Sequence, residues 1–163
     1  MGEPRKARLE YAKVAPGIVE AMHGLERYVA RNRDLPRPLL HLVKARASQI
    51  NGCAWCLDMH TKDALADGES PQRLYTLSAW RDTPFFTEKE RAALAWTEAV
   101  TLLAEGEISD ELYAEVRGHF SEKDLADLTL AIVAINGWNR LNVPFRTPVG
   151  DYQPPARDPP ADG

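Results

Sequence analysis

The two cysteines of the chain, Cys53 and Cys56, lie three residues apart, and His60 follows four residues after the second. On a helix these offsets place the three side chains on one face, within reach of one another. A helix that begins at Cys53, with Asn51 or Gly52 as its N-cap, would surround the thiols with unpaired backbone N–H groups and the positive end of the helix dipole. Both effects favour the thiolate over the thiol, and the imidazole can exchange the proton. The segment therefore predicts a nucleophilic, redox-active cysteine pair.

Three other interpretations of this segment are less favoured and remain open. Buried cysteines often serve only as small apolar side chains, but that role does not explain why the two cysteines of the chain share C-x-x-C spacing. A structural disulfide across a four-residue loop would contribute roughly 2 kcal/mol, against about 4.7 kcal/mol for a 100-residue loop. A zinc ion could take His41, Cys53, Cys56 and His60 as ligands, but the cysteine helix supplies only three of them in a row.

The overall composition is that of a globular protein without a strongly basic surface. The 163 residues are 44% apolar and 27% charged, with a net charge of −4. A chain of this length needs no disulfide or metal ion to fold, and its negative balance argues against nucleic-acid binding. We find no apolar run of about 20 residues and no apolar stretch behind the basic N-terminus, so we expect no membrane segment, no secretory signal and a cytoplasmic location.

Helical patterns follow one another along residues 1–150, which predicts one all-α domain of six or seven helices. Four of the 12 prolines lie in residues 151–163, so this stretch is predicted to be an extended or disordered tail. Asn136 and Gly137 are unfavourable inside a helix and predict that the last helix bends or ends there. The predicted helices begin at Pro16, Pro38, Cys53 and Pro71 (the last ending near Trp80) and after the caps Thr87, Ser109 and Ser121.

The cysteine segment also carries a family resemblance. Residues 40–64, LHLVKARASQINGCAWCLDMHTKDA, resemble the core of the AhpD-like alkylhydroperoxidases, which belong to the wider carboxymuconolactone decarboxylase family. Residues 73–75 (RLY), 80–87 (WRDTPFFT) and 134–140 (AINGWNR) are similar to the same group. The resemblance covers most of residues 10–150, and its most specific part is the cysteine motif with the histidine that follows it.

The resemblance implies an AhpD-like all-α fold, assembled as homotrimers or homohexamers, and peroxide reduction without a cofactor. It implies that a hydroperoxide oxidises Cys56 to a sulfenic acid, and that Cys53 is the proton donor and resolving thiol that closes a Cys53–Cys56 disulfide. It also implies that His60 belongs to the proton relay and that a separate thiol reductant or redox protein resets the pair. A sulfenic acid beside a resolving thiol condenses to a disulfide before it is oxidised further.

The sequence departs from the family pattern at two positions. The family has a glutamate twelve residues before the first cysteine, as proton acceptor of the relay, and this chain has His41 there. Histidine also relays protons, with an unperturbed pKa near 6.5 instead of 4.3; the alternative is that His41 is a bystander. Some members carry a histidine between the cysteines, whereas this chain has Trp55 beside Cys56, which makes the site more apolar and narrows its mouth.

These observations favour a cysteine-based peroxidase that reduces alkyl hydroperoxides. One alternative is a lactone decarboxylase-type enzyme, suggested only by the name of the wider family, whose chemistry does not call for a redox-active cysteine pair. The other is a non-enzymatic zinc- or thiol-binding module. The polar segment from Asn136 to Arg140 either lines the site or a subunit interface, or packs Trp138 into the core.

Overall fold

A computed structural model describes residues 6–155. Within that part of the chain the regular structure is eight α-helices and one short 3-10 helix, with no β-strand, which confirms the all-α prediction. The helices are α1 (Tyr11–Val14), α2 (Pro16–Val29), α3 (Arg37–Ile50), α4 (Ala54–Ala66), α5 (Pro71–Thr76), the 3-10 helix (Leu77–Asp82), α6 (Glu88–Thr101), α7 (Asp110–Arg117) and α8 (Glu122–Phe145).

Several helix starts follow directly from capping chemistry. The Thr87 hydroxyl accepts a hydrogen bond from the backbone N–H of Glu90, whose carboxylate accepts one from the backbone N–H of Thr87, so α6 begins with the predicted capping box. Ser109 and Ser121 cap α7 and α8 as predicted. Proline occupies the first turn of α2, α3 and α5, where its missing N–H costs no hydrogen bond.

The helix predicted from Pro71 to Trp80 is divided in the structure. α5 ends at Thr76, and a 3-10 helix with a non-helical Ala79 follows. Two carbonyl groups of this segment accept hydrogen bonds from another helix: the Arg91 guanidinium on α6 donates to the carbonyl oxygens of Trp80 and Arg81. Tertiary contacts of this kind are invisible in the local sequence pattern.

Of the two predicted outcomes at Asn136 and Gly137, the one in which the last helix ends there is wrong, because α8 continues to Phe145. The Asn136 side chain does not compete with the helix: its Nδ2 donates to the carbonyl of Ile132 one turn back and to Thr101 Oγ1 on α6. Gly137 allows α2 to approach closely, since a Cβ there would lie 2.9 Å from Met22 Cε. Both residues are used for packing against neighbouring helices.

α3 lies at the centre of the fold and packs against α4, α6 and α8. Its buried face is nearly continuous, and the fully buried side chains are Leu42, Val43, Ala45, Ala47 and Ser48. α2 packs along α8, so the cysteine-bearing α4 is supported by α3 and α8 together.

Of the predicted proline-rich tail, residues 151–155 contain no regular secondary structure, and residues 156–163 lie outside the described part of the chain, as do residues 1–5. None of the described helices has the length and apolar character needed to cross a bilayer.

Candidate active site

A sharp turn between α3 and α4 presents the cysteine pair. Asn51 is the C-cap of α3, and Gly52 turns the chain with φ of +64°, a conformation that suits glycine. The N-cap of α4 is Cys53 itself, and its Sγ accepts a hydrogen bond from the backbone N–H of Cys56 at 3.3 Å. The prediction that Asn51 or Gly52 caps α4 is therefore wrong. The Asn51 side chain donates its hydrogen bonds to α8 instead.

A disulfide joins Cys53 and Cys56, with the two Cα atoms 5.4 Å apart. Both residues are 1% exposed and pack with Ala47 and Ile135. The disulfide thus lies at the first turn of α4, at the positive end of the helix dipole. The sequence predicted this pairing through the family resemblance.

Three asparagines of α8, spaced three residues apart on one face, point towards this turn. Asn136 and Asn139 each accept a hydrogen bond from the Asn51 amide through their Oδ1 atoms, at 2.9 and 2.8 Å. Asn139 also donates to Ser48 Oγ at 3.1 Å. These bonds fix the end of α3, and therefore the start of α4, against α8.

The third asparagine, Asn142, contacts the sulfur of Cys56. Its Nδ2 lies 3.4 Å from Cys56 Sγ and donates to it. The hydroxyl groups of Tyr11 and Thr147 donate to Asn142 Oδ1 at 2.9 and 2.7 Å, so the amide can only turn its N–H side towards the sulfur. Sequence reasoning missed this residue; the available signal was the three-residue spacing of asparagines in an otherwise apolar helix.

His60 lies one turn after Cys56 on α4 and is buried. Burial, and then the positive charge of Lys44 and the neighbouring His41, hold the pKa of His60 well below its usual value. The imidazole is therefore neutral at physiological pH and is available as a proton acceptor.

His41 is buried on α3, and its Nε2 lies 2.6 Å from Asp67 Oδ2. Arg37 also pairs with that carboxylate, at 3.1 Å. The structure therefore gives His41 a carboxylate partner and places it in the wall of the cavity that Cys56 and His60 also line.

That cavity has a volume of about 1200 Å³ and is bordered by α2, α3, α4 and α8. A salt bridge between Lys44 of α3 and Glu26 of α2 lies in its wall, and both side chains are largely buried. Trp138 also lines the cavity. The segment from Asn136 to Arg140 therefore contributes at least this side chain to the candidate site. No local sequence pattern indicates the Lys44–Glu26 pair, because its members lie on two different helices.

The chemistry that this arrangement supports is thiol–disulfide exchange with proton transfer. The Cys53–Cys56 disulfide, a neutral imidazole and an amide N–H directed at sulfur lie beside a cavity large enough for an organic substrate. Among the described residues, no three His, Cys, Asp or Glu side chains are grouped as metal ligands.

Comparison with known proteins finds a matching family model and a similar relative. The model of the carboxymuconolactone decarboxylase family matches residues 16–99. The uncharacterized protein YdfG of Bacillus subtilis strain 168 is 42% identical over 136 residues, which covers 83% of this chain and 92% of YdfG.

Solved structures show the same fold. A protein of unknown function from Agrobacterium tumefaciens, suggested to be the antioxidant defence protein AhpD, has 44% identity and a TM-score of 0.83, and the match covers 91% of this chain and 99% of that one. A variant of the debrominase Bmp8 in complex with 2,3,4-tribromopyrrole has a TM-score of 0.76 at 19% identity, covering 85% of this chain and 74% of that one. At such low identity the likeness concerns the fold alone.

Proposed function

This chain belongs to the carboxymuconolactone decarboxylase family, and we propose that within it the chain is an AhpD-like, cysteine-based peroxidase that reduces alkyl hydroperoxides in the cytoplasm. The observation that supports this most directly is the Cys53–Cys56 disulfide beside a large cavity that Cys56 shares with a neutral, buried His60. A lactone decarboxylase would have no use for this dithiol pair.

The first step is attack by the Cys56 thiolate on the terminal oxygen of the hydroperoxide. His60 takes the proton of the Cys56 thiol, and the Asn142 N–H group stabilises the resulting thiolate. An S–O bond forms, the O–O bond breaks, and the departing alkoxide takes up a proton and leaves as an alcohol. Cys56 is now a sulfenic acid.

The second step closes the disulfide. The Cys53 thiolate attacks the sulfur of the sulfenic acid, the S–S bond forms, and hydroxide leaves with a proton as water. One hydroperoxide and one dithiol thus give one alcohol, one water molecule and one disulfide. In the resulting disulfide form, Cys53 is the N-cap of the helix on which Cys56 lies.

We assign His41, paired with Asp67, a place in the proton relay at the cavity wall. His41→Ala should reduce the rate of oxidation by about 10², the usual contribution of a general acid or base. His23 lines the same cavity but packs edge-on against Trp138, so His23→Ala is the matched control and should be nearly neutral. Equal rates for His41→Ala and the wild type would make His41 a bystander.

The proposed function is tested by thiol titration with tert-butyl hydroperoxide. One equivalent should convert two free thiols into one intramolecular disulfide, with a loss of two hydrogens from the peptide that contains both cysteines. Cys56→Ser should abolish peroxide consumption, and Cys53→Ser should leave a sulfenic acid on Cys56 that a selective reagent traps. Unchanged thiols and intact hydroperoxide would refute the proposal, and a sulfenic acid that forms on Cys53 alone would reverse the assignment.

A further inference from the structure

A second, smaller opening reaches the disulfide from the side of Cys53. It is a cleft of about 330 Å³ between the start of α4, the end of α8 and the segment that follows α8. Cys53 lines this cleft, whereas Cys56 lines the large cavity, and Trp55 borders both. The two cysteines of one disulfide, each 1% exposed, therefore line two different openings.

The walls of the cleft favour an anionic sulfur. The first turn of α4, which contributes Ala54 and Trp55, directs its unpaired N–H groups and the positive end of its dipole towards this region. Arg146, an exposed cation, lines the opposite side. Val143 and Val149 form an apolar rim and are 44% and 47% exposed.

We propose that this cleft is where a thiol reductant binds and attacks the oxidised protein at Cys53 Sγ, so that the reductant and the hydroperoxide use separate openings. This inference rests on the proposed peroxidase cycle, because each turn of that cycle leaves a disulfide that an external thiol must reduce. With separate openings, reduction does not have to wait until the alcohol product has left the large cavity.

Reduction of the disulfide takes two successive thiolate attacks. The reductant thiolate attacks Cys53 Sγ, a mixed disulfide forms, and the Cys53–Cys56 bond breaks with its electron pair on Cys56 Sγ. The Asn142 N–H group already lies 3.4 Å from that sulfur and stabilises the departing thiolate. A second reductant thiolate then attacks the reductant sulfur of the mixed disulfide and releases Cys53. Two thiols become one disulfide, and their two protons go to Cys53 and Cys56.

The first test traps the mixed disulfide. Oxidised wild-type protein, prepared with diamide so that peroxidase activity is not required, is mixed briefly with 2-mercaptoethanesulfonate, quenched with acid and alkylated. Mass spectrometry should find the sulfonate adduct on Cys53 and the alkyl group on Cys56. An adduct that forms only on Cys56 would overturn the proposal, whether or not the protein is a peroxidase.

The second test blocks each opening in turn. Val143→Trp fills the cleft and should slow reduction of the disulfide at least about tenfold, because thiol–disulfide exchange depends on access to the attacked sulfur. Val133 is 49% exposed on the same helix and borders neither opening, so Val133→Trp is the matched control. Val19→Trp, in the wall of the large cavity, should leave reduction unchanged. If Val19→Trp slows reduction and Val143→Trp does not, the reductant uses the large cavity.

The third test uses charge and does not depend on a bulky substitution. Arg146→Glu should lower the rate with anionic 2-mercaptoethanesulfonate by about threefold to tenfold relative to cationic cysteamine, with both rates expressed per thiolate, since a charge near the surface changes such energies by about 1 kcal/mol. An unchanged ratio of the two rates would contradict a reductant site beside Arg146. Failure of the hydroperoxide to oxidise the protein would refute the proposed function but would leave these three results interpretable.

Discussion

At the scale of single residues, Asn142 connects the Cys56 sulfur to one distant and one nearby hydroxyl group. Tyr11 precedes it by 131 residues and Thr147 follows it by five, and both hydroxyl groups hold the amide oxygen. The amide nitrogen is thereby held as a donor to Cys56, independently of the position of any substrate. A donor fixed in this way stabilises negative charge on the sulfur without reorganisation.

We expect Asn142→Asp to destabilise the Cys56 thiolate, because an N–H donor is replaced by a negative charge in nearly the same shape. In the reduced protein, the pH midpoint of Cys56 alkylation should rise by about one to three units, the usual effect of a like charge in contact. Asn142→Leu removes the donor without adding charge and serves as the control, with a smaller rise. Equal midpoints in all three proteins would show that the amide does not affect the thiolate.

His60 should make the stability of the protein dependent on pH. Its folded-state pKa is lowered by burial and by Lys44, so between that value and about 6.5 the unfolded chain binds a proton that the folded protein does not. The free energy of unfolding should therefore fall as the pH drops below about 6.5, by up to about 1.4 kcal/mol per pH unit from this group. Urea unfolding at pH 7.5, 6.0 and 5.0 measures this dependence.

The matched variants for that measurement are His60→Gln and His119→Gln. His119 is exposed, so its replacement should leave the pH dependence unchanged, whereas His60→Gln should flatten it. The same slope in His60→Gln and in the wild type would mean that His60 is not kept neutral by the fold.

The residues of the site differ in how visible they are in the sequence. Cys56 and His60 lie on α4 and Cys53 is its N-cap, so their spacing in the sequence already predicts that they lie near one another. Asn142 reaches Cys56 across 86 residues, and nothing local indicates which distant amide will meet a given sulfur. The Lys44–Glu26 pair was missed for the same reason.

At the scale of the elements, the Glu98 side chain of α6 contacts both α3 and the 3-10 helix. Its carboxylate accepts hydrogen bonds from Arg46 Nε of α3 at 2.8 Å and from Trp80 Nε1 of the 3-10 helix at 2.9 Å, and it also pairs with Arg81. Burial alone would raise the pKa of Glu98, but these donors outweigh it and hold the pKa below its usual value. The carboxylate therefore stays ionised at the junction.

Glu98→Ala should lower the free energy of unfolding by about 2 kcal/mol, within the range for hydrogen bonds to a charged group. Glu88 is exposed in the first turn of the same helix, and Glu88→Ala should cost less than about 1 kcal/mol through the helix dipole. Urea unfolding compares the two variants. Equal costs would mean that the Glu98 contacts do not stabilise the junction.

The elements were predicted best where their ends are set by local chemistry. The serine and threonine caps and the first-turn prolines act within four residues, so α2, α6, α7 and α8 begin as expected. The continuation of α8 through Gly137 and the separate 3-10 helix depend on Met22 and Arg91, which belong to other elements. The four-residue α1 carries no cap signal and is held by Tyr11, whose ring packs on Phe145.

At the scale of the whole molecule, we predict a homotrimer or homohexamer. Large apolar side chains remain exposed on the described surface, among them Tyr75 at 82%, Val14 at 64% and Leu103 at 61%. Aromatic side chains are enriched in the cores of subunit interfaces. Light scattering at micromolar concentration should return three or six times the 18.2 kDa chain mass, and a mass of one chain would contradict the prediction.

The long sequence separation between Cys56 and Asn142 also has a consequence for biosynthesis. A ribosome adds about 5–20 residues per second, so the cysteines are made roughly 4–17 s before the amide that contacts Cys56. During that interval the nascent thiols have the local contacts of their own turn but not the hydrogen bond from α8. The reactivity of the cysteine pair should therefore change at a late point in synthesis, when α8 docks against α3 and α4.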